Sequence, residues 1–235
     1  MNKSKGILHR LFNNLFLITC ISTIILLPNQ ASFAGYKPPP NQKPPSGYTD
    51  SSGVRGKCSA TDNSKILLLA PVTHVGQATS SYPSFAWFLP KHQSLPIEFS
   101  IYELNDDNQA SKQVFRDKLP NASGVMNIEL REHKQALKLG KRYVWQVEVL
   151  CNPNRPSRNI VVSAEIDIVE LPSSLKAALS KTDSPLQRAN LYAEAGMWYD
   201  ALKEALAAEN NLELAIVTLG LMEELAYLEK TAYVF

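Results

Sequence analysis

The sequence predicts a mostly β protein with a smaller α-helical part: an antiparallel β-sandwich over residues 57–170 and a helical segment over residues 171–235. Two patterns along the chain support this prediction. In the first region, short runs of alternating apolar and polar residues recur, which is the period of a strand with one buried face. In the second region, apolar residues recur every three or four positions, which is the period of a helix.

The predicted strands are short and are separated by turn residues such as the Asn and Asp run at 105–108. They lie at residues 65–70, 84–89, 97–104, 113–119, 124–131, 142–151 and 159–169. Several such strands within about 100 residues are typical of an immunoglobulin-like or fibronectin-like antiparallel sandwich.

One segment resembles the entry to the penultimate strand of such sandwiches. Leu137 precedes Tyr143, and Trp145 and Val147 follow at alternate positions. In the arrangement known as a tyrosine corner, the tyrosine hydroxyl bonds back to the chain a few residues upstream. Leu139 stands where a proline is usual. We therefore expect Tyr143 and Trp145 to be structural rather than ligand-contacting.

The C-terminal segment is predicted to contain a helical hairpin. Ser184 and Pro185 form a helix-start signal, and the stretch 192–202 resembles the turn of a tetratricopeptide unit, with Gly196 where two helices cross closely. Residues 212–228 are predicted to form a further helix. Because a single unit cannot bury its apolar face alone, the hairpin has to pack on the sandwich or on a partner.

The N-terminus is predicted to be a signal peptide over residues 1–34, cleaved between Ala34 and Gly35. It combines an apolar run at 15–27, small residues before the cleavage site, and a basic start without acids, formed by Lys3, Lys5 and Arg10. An uncleaved membrane anchor is the alternative, although a spanning helix needs about 20 apolar residues. Residues 35–56 are rich in proline and are predicted to be a linker.

Charge excludes one class of partner. The chain has 24 Lys and Arg against 22 Asp and Glu, a formal net charge of +2. The leader holds three of the basic residues and no acid, so the mature chain has 21 basic and 22 acidic residues and a net charge of −1. Nucleic-acid binding needs a basic face or stripe, so we expect no nucleic-acid partner, and contact with the membrane only during export.

Two cysteines, Cys58 and Cys151, remain once the leader is removed. An even number in an exported chain favours a disulfide, which in the chain-entropy model would contribute about 4 kcal/mol. A catalytic thiol and a metal pair are the alternatives, but neither cysteine has a second cysteine or a histidine close to it in the sequence.

The order of several short motifs resembles domain-of-unknown-function family 928, exported proteins found mainly in photosynthetic prokaryotes. These motifs are RGKC at 55–58, LLAP at 68–71, TSSYPSFAWFLP at 79–90, LGKRYVW at 139–145 with CNP at 151–153, and GMWYDAL at 196–202. The family has no established activity. The resemblance therefore implies the compartment and the architecture, and it implies that the two cysteines belong together.

The sequence shows no catalytic constellation. It contains no nucleophile elbow, no phosphate-binding loop and no dinucleotide fingerprint. The histidines of the mature chain, His74, His92 and His133, have no metal-binding spacing, and we expect each of them on the surface or in a turn. We therefore expect no enzyme activity, no catalytic residues, no cofactor and no metal.

Residues 82–90 are the best candidate for a binding surface, because four aromatic residues lie close together there. Alternation places Phe85 and Trp87 on one face and Phe88 on the other. Tyr82 and Phe88 are therefore the speculative binding surface, and packing of the run into the core is the alternative.

These observations favour an extracytoplasmic protein, periplasmic or secreted, that binds another envelope component, either a protein or a glycan. A carbohydrate-binding module that uses sandwich aromatics is one alternative. An exported hydrolase is another. The sequence indicates no oligomeric state.

Overall fold

The structure is a computed structural model that describes residues 35–47, 50–55, 58, 66–71, 73–89, 95–120, 124–152 and 154–207. All of them lie within the unit formed by residues 33–235. The predicted signal peptide, including Ala34 of the expected cleavage site, lies outside the described residues, and so does the predicted helix at 212–228.

The described residues form nine strands and three α-helices. The strands are β1 (Asp50–Arg55), β2 (Leu67–Leu68), β3 (Gly76–Ala78), β4 (Ser84–Leu89), β5 (Ile97–Leu104), β6 (Ala110–Leu119), β7 (Gly124–Glu129), β8 (Arg142–Val149) and β9 (Ile160–Ile168). The helices are α1 (Ser173–Leu179), α2 (Pro185–Glu194) and α3 (Trp198–Leu206), and a short 3-10 turn covers Pro156–Arg158. The predicted strands are confirmed, and β1 and β3 are additional.

The strands form two sheets. The larger sheet has the order β1-β9-β8-β5-β6, with β3 added in parallel to β9. The smaller sheet has the order β2-β4-β7, and its strands are antiparallel. The predicted mostly β architecture, with helices in the C-terminal part of the chain, is therefore confirmed. The finer assignments, to the immunoglobulin or fibronectin type and to a tetratricopeptide unit, remain predictions.

An aromatic core lies between the two sheets. The inward residues of β8 are those that the alternation predicts: Tyr143, Trp145, Val147 and Val149. From the smaller sheet, Trp87 stacks on Phe99 with the ring centroids 5.8 Å apart. The backbone N–H of Lys138 donates to the Tyr143 hydroxyl at 2.9 Å, which is the upstream bond that the tyrosine-corner pattern predicts.

The helices continue the same core. Ser184 caps α2 by accepting from the backbone N–H of Gln187, and α2 and α3 are joined at Gly196, whose φ is +79°. Tyr199 of α3 reaches inward, where the Trp145 indole N–H donates to its hydroxyl at 2.8 Å. The Trp198 indole N–H donates to the carbonyl of Leu69 at 2.9 Å. The hairpin therefore packs on the sandwich.

Residues 35–47 differ from the expected linker, because they lie against the fold. Tyr36 is buried, and its ring meets Trp198 edge-on at 5.0 Å. The N–H of Lys37 donates to the carbonyl of Ala193, and Ser46 donates to the buried carboxylate of Glu165 at 2.7 Å. Proline content predicts an extended chain, but one aromatic anchor and a few backbone hydrogen bonds are enough to hold that extended chain in place.

A disulfide joins Cys58 and Cys151, which are 93 residues apart in the sequence. The pairing that the cysteine count favours is therefore present. Cys58 follows β1 and Cys151 follows β8, and both of these strands belong to the larger sheet. The bond therefore ties the segment between β1 and β2 to the end of β8.

Within the described part of the chain, no helix has the length and apolar character needed to cross a membrane.

Candidate interaction surface

Several polar side chains are buried in the fold. His74 lies in a bend, in keeping with the expected turn position, and its side chain is buried rather than exposed. It is hydrogen-bonded to the Tyr36 hydroxyl at 2.7 Å and to the Thr73 hydroxyl at 3.2 Å. Burial lowers the pKa of His74 from 6.5 to about 4, so the ring is neutral at pH 7.

His133 lies where the sequence predicts it. His133 is exposed in a turn, as expected, with its ring against Phe115 and a nitrogen 3.9 Å from the carboxylate of Asp117. His92 lies outside the described residues. Over the described ranges, no three His, Cys, Asp or Glu side chains stand close enough to hold a metal ion.

Asp200 at the start of α3 is a structural anchor. Its carboxylate accepts from the backbone N–H of Thr79 at 2.6 Å and from the Thr79 hydroxyl at 3.1 Å. Burial raises the pKa of Asp200 from 3.8 to about 6, although the hydrogen bonds from Thr79 act in the opposite direction. The Asp200 carboxylate therefore fixes α3 to the loop that precedes β4.

A cleft of about 780 Å³ opens at one end of the larger sheet, beside Asn105, Gly140 and Glu170. The Arg142 guanidinium in its wall is already bound by Asp167 through two hydrogen bonds of 2.8 and 3.0 Å. The Arg142 guanidinium is therefore already used within the protein and is not free to bind an anion in the cleft.

The outer face of the smaller sheet carries an exposed apolar row. Leu67, Phe88 and Val125 lie directly opposite one another on β2, β4 and β7. Their exposed fractions are 44%, 38% and 56%, and they include all but one of the large exposed apolar side chains among the described residues. Scattered apolar residues are normal on a surface, whereas a contiguous group is a candidate for an interaction site. We call these three side chains the apolar row.

Helix α3 covers the neighbouring part of the same face. Leu202 packs on Leu69 and Ala86, with Leu206 at the edge of this cluster. The backbone N–H of Leu69 donates to the carbonyl of Ala86, so these two covered residues lie opposite each other. Along the same two segments, the next opposed pair on this face is Leu67 and Phe88 of the apolar row. The apolar row therefore continues a packed interface, and no described helix covers it.

The two residues predicted as a binding surface are not together. Phe88 lies in the row, but Tyr82 precedes the other end of β4, where it is half-buried under the Arg131 guanidinium at 5.3 Å. Sequence reasoning missed Leu67 and Val125. Leu67 begins a run of three leucines, in which alternation does not show which side chain faces outward. Val125 is recognised as part of the row only from its position opposite Phe88 in the sheet.

Comparison with known proteins adds a family but no activity. The family model described as Domain of Unknown Function (DUF928) matches residues 50–218, which include both sheets and all three helices. The segment 35–47 lies outside the match. No curated protein matches the chain. The match covers most of the chain and agrees with the resemblance drawn from the short motifs. The chain therefore belongs to the DUF928 family.

Proposed function

We propose that this protein is exported and acts without catalysis, by binding a protein component of the cell envelope through the apolar row. The observation that carries the proposal is the row itself: Leu67, Phe88 and Val125, all exposed and aligned across three strands. Export is supported by the leader-like N-terminus and by the disulfide, since disulfides persist in oxidising compartments.

The chemistry of the row favours a protein partner over a glycan. Two of its three side chains are aliphatic, and only Phe88 could stack on a sugar ring. A sugar presents hydroxyl groups that lose water on binding and then need hydrogen-bond partners, which the row does not offer. An apolar surface of another protein needs no such partners.

The test is affinity capture from an envelope extract with the mature protein, residues 35–235, carrying a C-terminal tag. Phe88→Lys places a charge in the middle of the row and should reduce capture of the partner by about tenfold or more. Leu139→Lys is the matched control, because Leu139 is 54% exposed and lies outside the row. We expect this control variant to capture as the unchanged protein does.

Equal capture by the Phe88→Lys and unchanged proteins would remove the row as the binding site. If Phe88→Lys instead abolishes binding to a glycan array while no protein is captured, the carbohydrate-binding alternative replaces the proposal. Thermal unfolding of both variants shows whether each has kept the fold.

A further inference from the structure

The backbone of β4 shows which way each strand of the smaller sheet directs its hydrogen-bonding groups. The N–H of Leu69 donates to the carbonyl of Ala86 at 2.9 Å, so Ala86 directs its backbone groups toward β2. In a strand these groups alternate from side to side, so Phe85 and Trp87 direct theirs toward β7. Their partners on β7 are Ile128 and Met126, which therefore bond back to β4.

The remaining residues of β7 direct their backbone groups away from the sheet. These residues are Val125, Asn127 and Glu129, which alternate with the bonded positions. The bond from the N–H of Leu130 to the carbonyl of Pro83, at 3.3 Å, continues the same register. Among the described strands, only β4 pairs with β7, so no described strand occupies this edge of the smaller sheet, which we call the open edge.

Of the three free positions on the open edge, only Glu129 is charged, and its charge is paired within the protein. Charges, especially lysine, are the usual means by which an edge strand is kept from pairing with another chain. The edge strand β6 of the larger sheet carries such charges at Lys112, Arg116 and Lys118. The free positions of β7 are instead a valine, an asparagine and Glu129, whose carboxylate is already paired with Lys203 at 3.3 Å.

Val125 joins this edge to the apolar row. Its side chain is the most exposed of the row, and its N–H and carbonyl face the open edge. A strand added here would place a side chain directly beside Val125 and so lengthen the row by one residue, while its backbone would satisfy the free groups of β7.

We infer that the partner is an extended polypeptide segment with alternating apolar side chains, which adds to β7 as a further strand. The inference rests on the proposed function, because it assumes that the apolar row is the binding surface. It goes further by stating what binds: a backbone with free N–H and C=O groups, with at least one apolar side chain against Val125 and Phe88.

The test uses a defined probe, a synthetic peptide of alternating valine and threonine flanked by lysines, and measures its binding to the mature protein by fluorescence anisotropy. Asn127→Pro removes the N–H at the centre of the free edge, a position at which an edge strand tolerates proline. Asn127→Ala is the matched control, because it removes the side chain and keeps the N–H. We expect about tenfold weaker binding to Asn127→Pro and less than about twofold change for Asn127→Ala.

A second arm leaves the protein unchanged. The same peptide, N-methylated at every residue, cannot donate along either edge and should not bind. Hydrogen exchange of the free protein should show rapid exchange at Val125 and Asn127 and slow exchange at Met126 and Ile128, with the first pair protected when peptide is added. This arm decides the question even if Asn127→Pro does not fold.

Several results would overturn the inference. The first is failure of the unmodified peptide to bind. The second is equal binding by the N-methylated peptide or by Asn127→Pro; the proposed function would then survive if Phe88→Lys still abolishes capture. Protection of Val125 and Asn127 in the free monomer would show that the chain's own C-terminal segment occupies the edge, and protection only in a dimer would assign it to a second copy.

Discussion

The two ends of the outer face of the smaller sheet differ although they share the strand β4. At one end, Ala86 is fully buried beneath Leu202 of α3. At the other end, Phe88, two residues along the same strand and on the same face, is 38% exposed. The difference shows that the strand pattern assigns residues to a face, whereas a distant helix decides which part of that face becomes core.

The largest expected effect comes from breaking the covered end. Leu202→Ala removes a side chain that is 1% exposed, and we expect the free energy of unfolding to fall by about 3 kcal/mol. Phe88→Ala at the open end should cost about 1 kcal/mol or less, because much of the ring is already in water. Urea unfolding of the two variants measures both values, and equal losses would contradict the comparison.

The pH dependence of stability should report on two buried titratable groups on the helical side of the molecule, Asp200 of α3 and His74 beside Tyr36. Asp200 has its pKa raised to about 6, so its contribution to stability is lost as the pH rises from about 4 to 6. His74 has its pKa lowered to about 4, so its contribution is lost as the pH falls from about 6.5 to 4. The two effects oppose each other, and each is about 3 kcal/mol.

Single variants separate these effects. Asp200→Asn leaves only His74, so stability should rise with pH between about 4 and 6.5. His74→Gln leaves only Asp200, so stability should fall over the same range as the pH rises. Chemical unfolding at several pH values measures the slopes, and two variants with slopes of the same sign would refute the assignment.

A smaller effect is expected where the covering hairpin meets residues 35–47. Gly196 has φ +79°, and a Cβ there would lie 2.9 Å from Pro39. Gly140 has φ +75° with open space around its Cβ position, so Gly140→Ala measures the cost of the backbone conformation alone. We expect Gly196→Ala to cost about 2 kcal/mol, and more than Gly140→Ala, in thermal unfolding. Equal costs would show that Pro39 adapts freely.

The smallest effect is expected at the border between the two ends. Lys203 of α3 and Glu129 of β7 form an ion pair of 3.3 Å whose side chains are each about a quarter exposed. We expect Lys203→Ala to change the free energy of unfolding by about 0.5 kcal/mol or less, with the loss disappearing at high salt. A loss several times larger would mean that this pair, and not Leu202, holds α3 to the sheet.

Local pattern was sufficient for most of the fold. The inward residues of β8 and β9 follow from alternation, because each strand has one buried and one polar face. The helix start at Ser184 and Pro185 follows from cap chemistry. In both cases the signal lies within a few neighbouring residues.

The remaining features depend on contacts between distant parts of the chain. Tyr36 is one aromatic residue in a proline-rich segment, and only its meeting with His74 and Trp198 makes it part of the core. The apolar row likewise needs the register of three strands. Sequence reasoning identified Phe88, but not the neighbours that make it a surface.

The disulfide makes a closed ring of the chain from β2 to β8, which includes the whole smaller sheet and the apolar row. A protease that cut the exposed turn at Asp106 would therefore release no fragment. The nicked protein would migrate as one band without reductant and separate into two when the bond is reduced. A cut in a turn between Cys58 and Cys151 would thus leave the apolar row attached to the rest of the molecule.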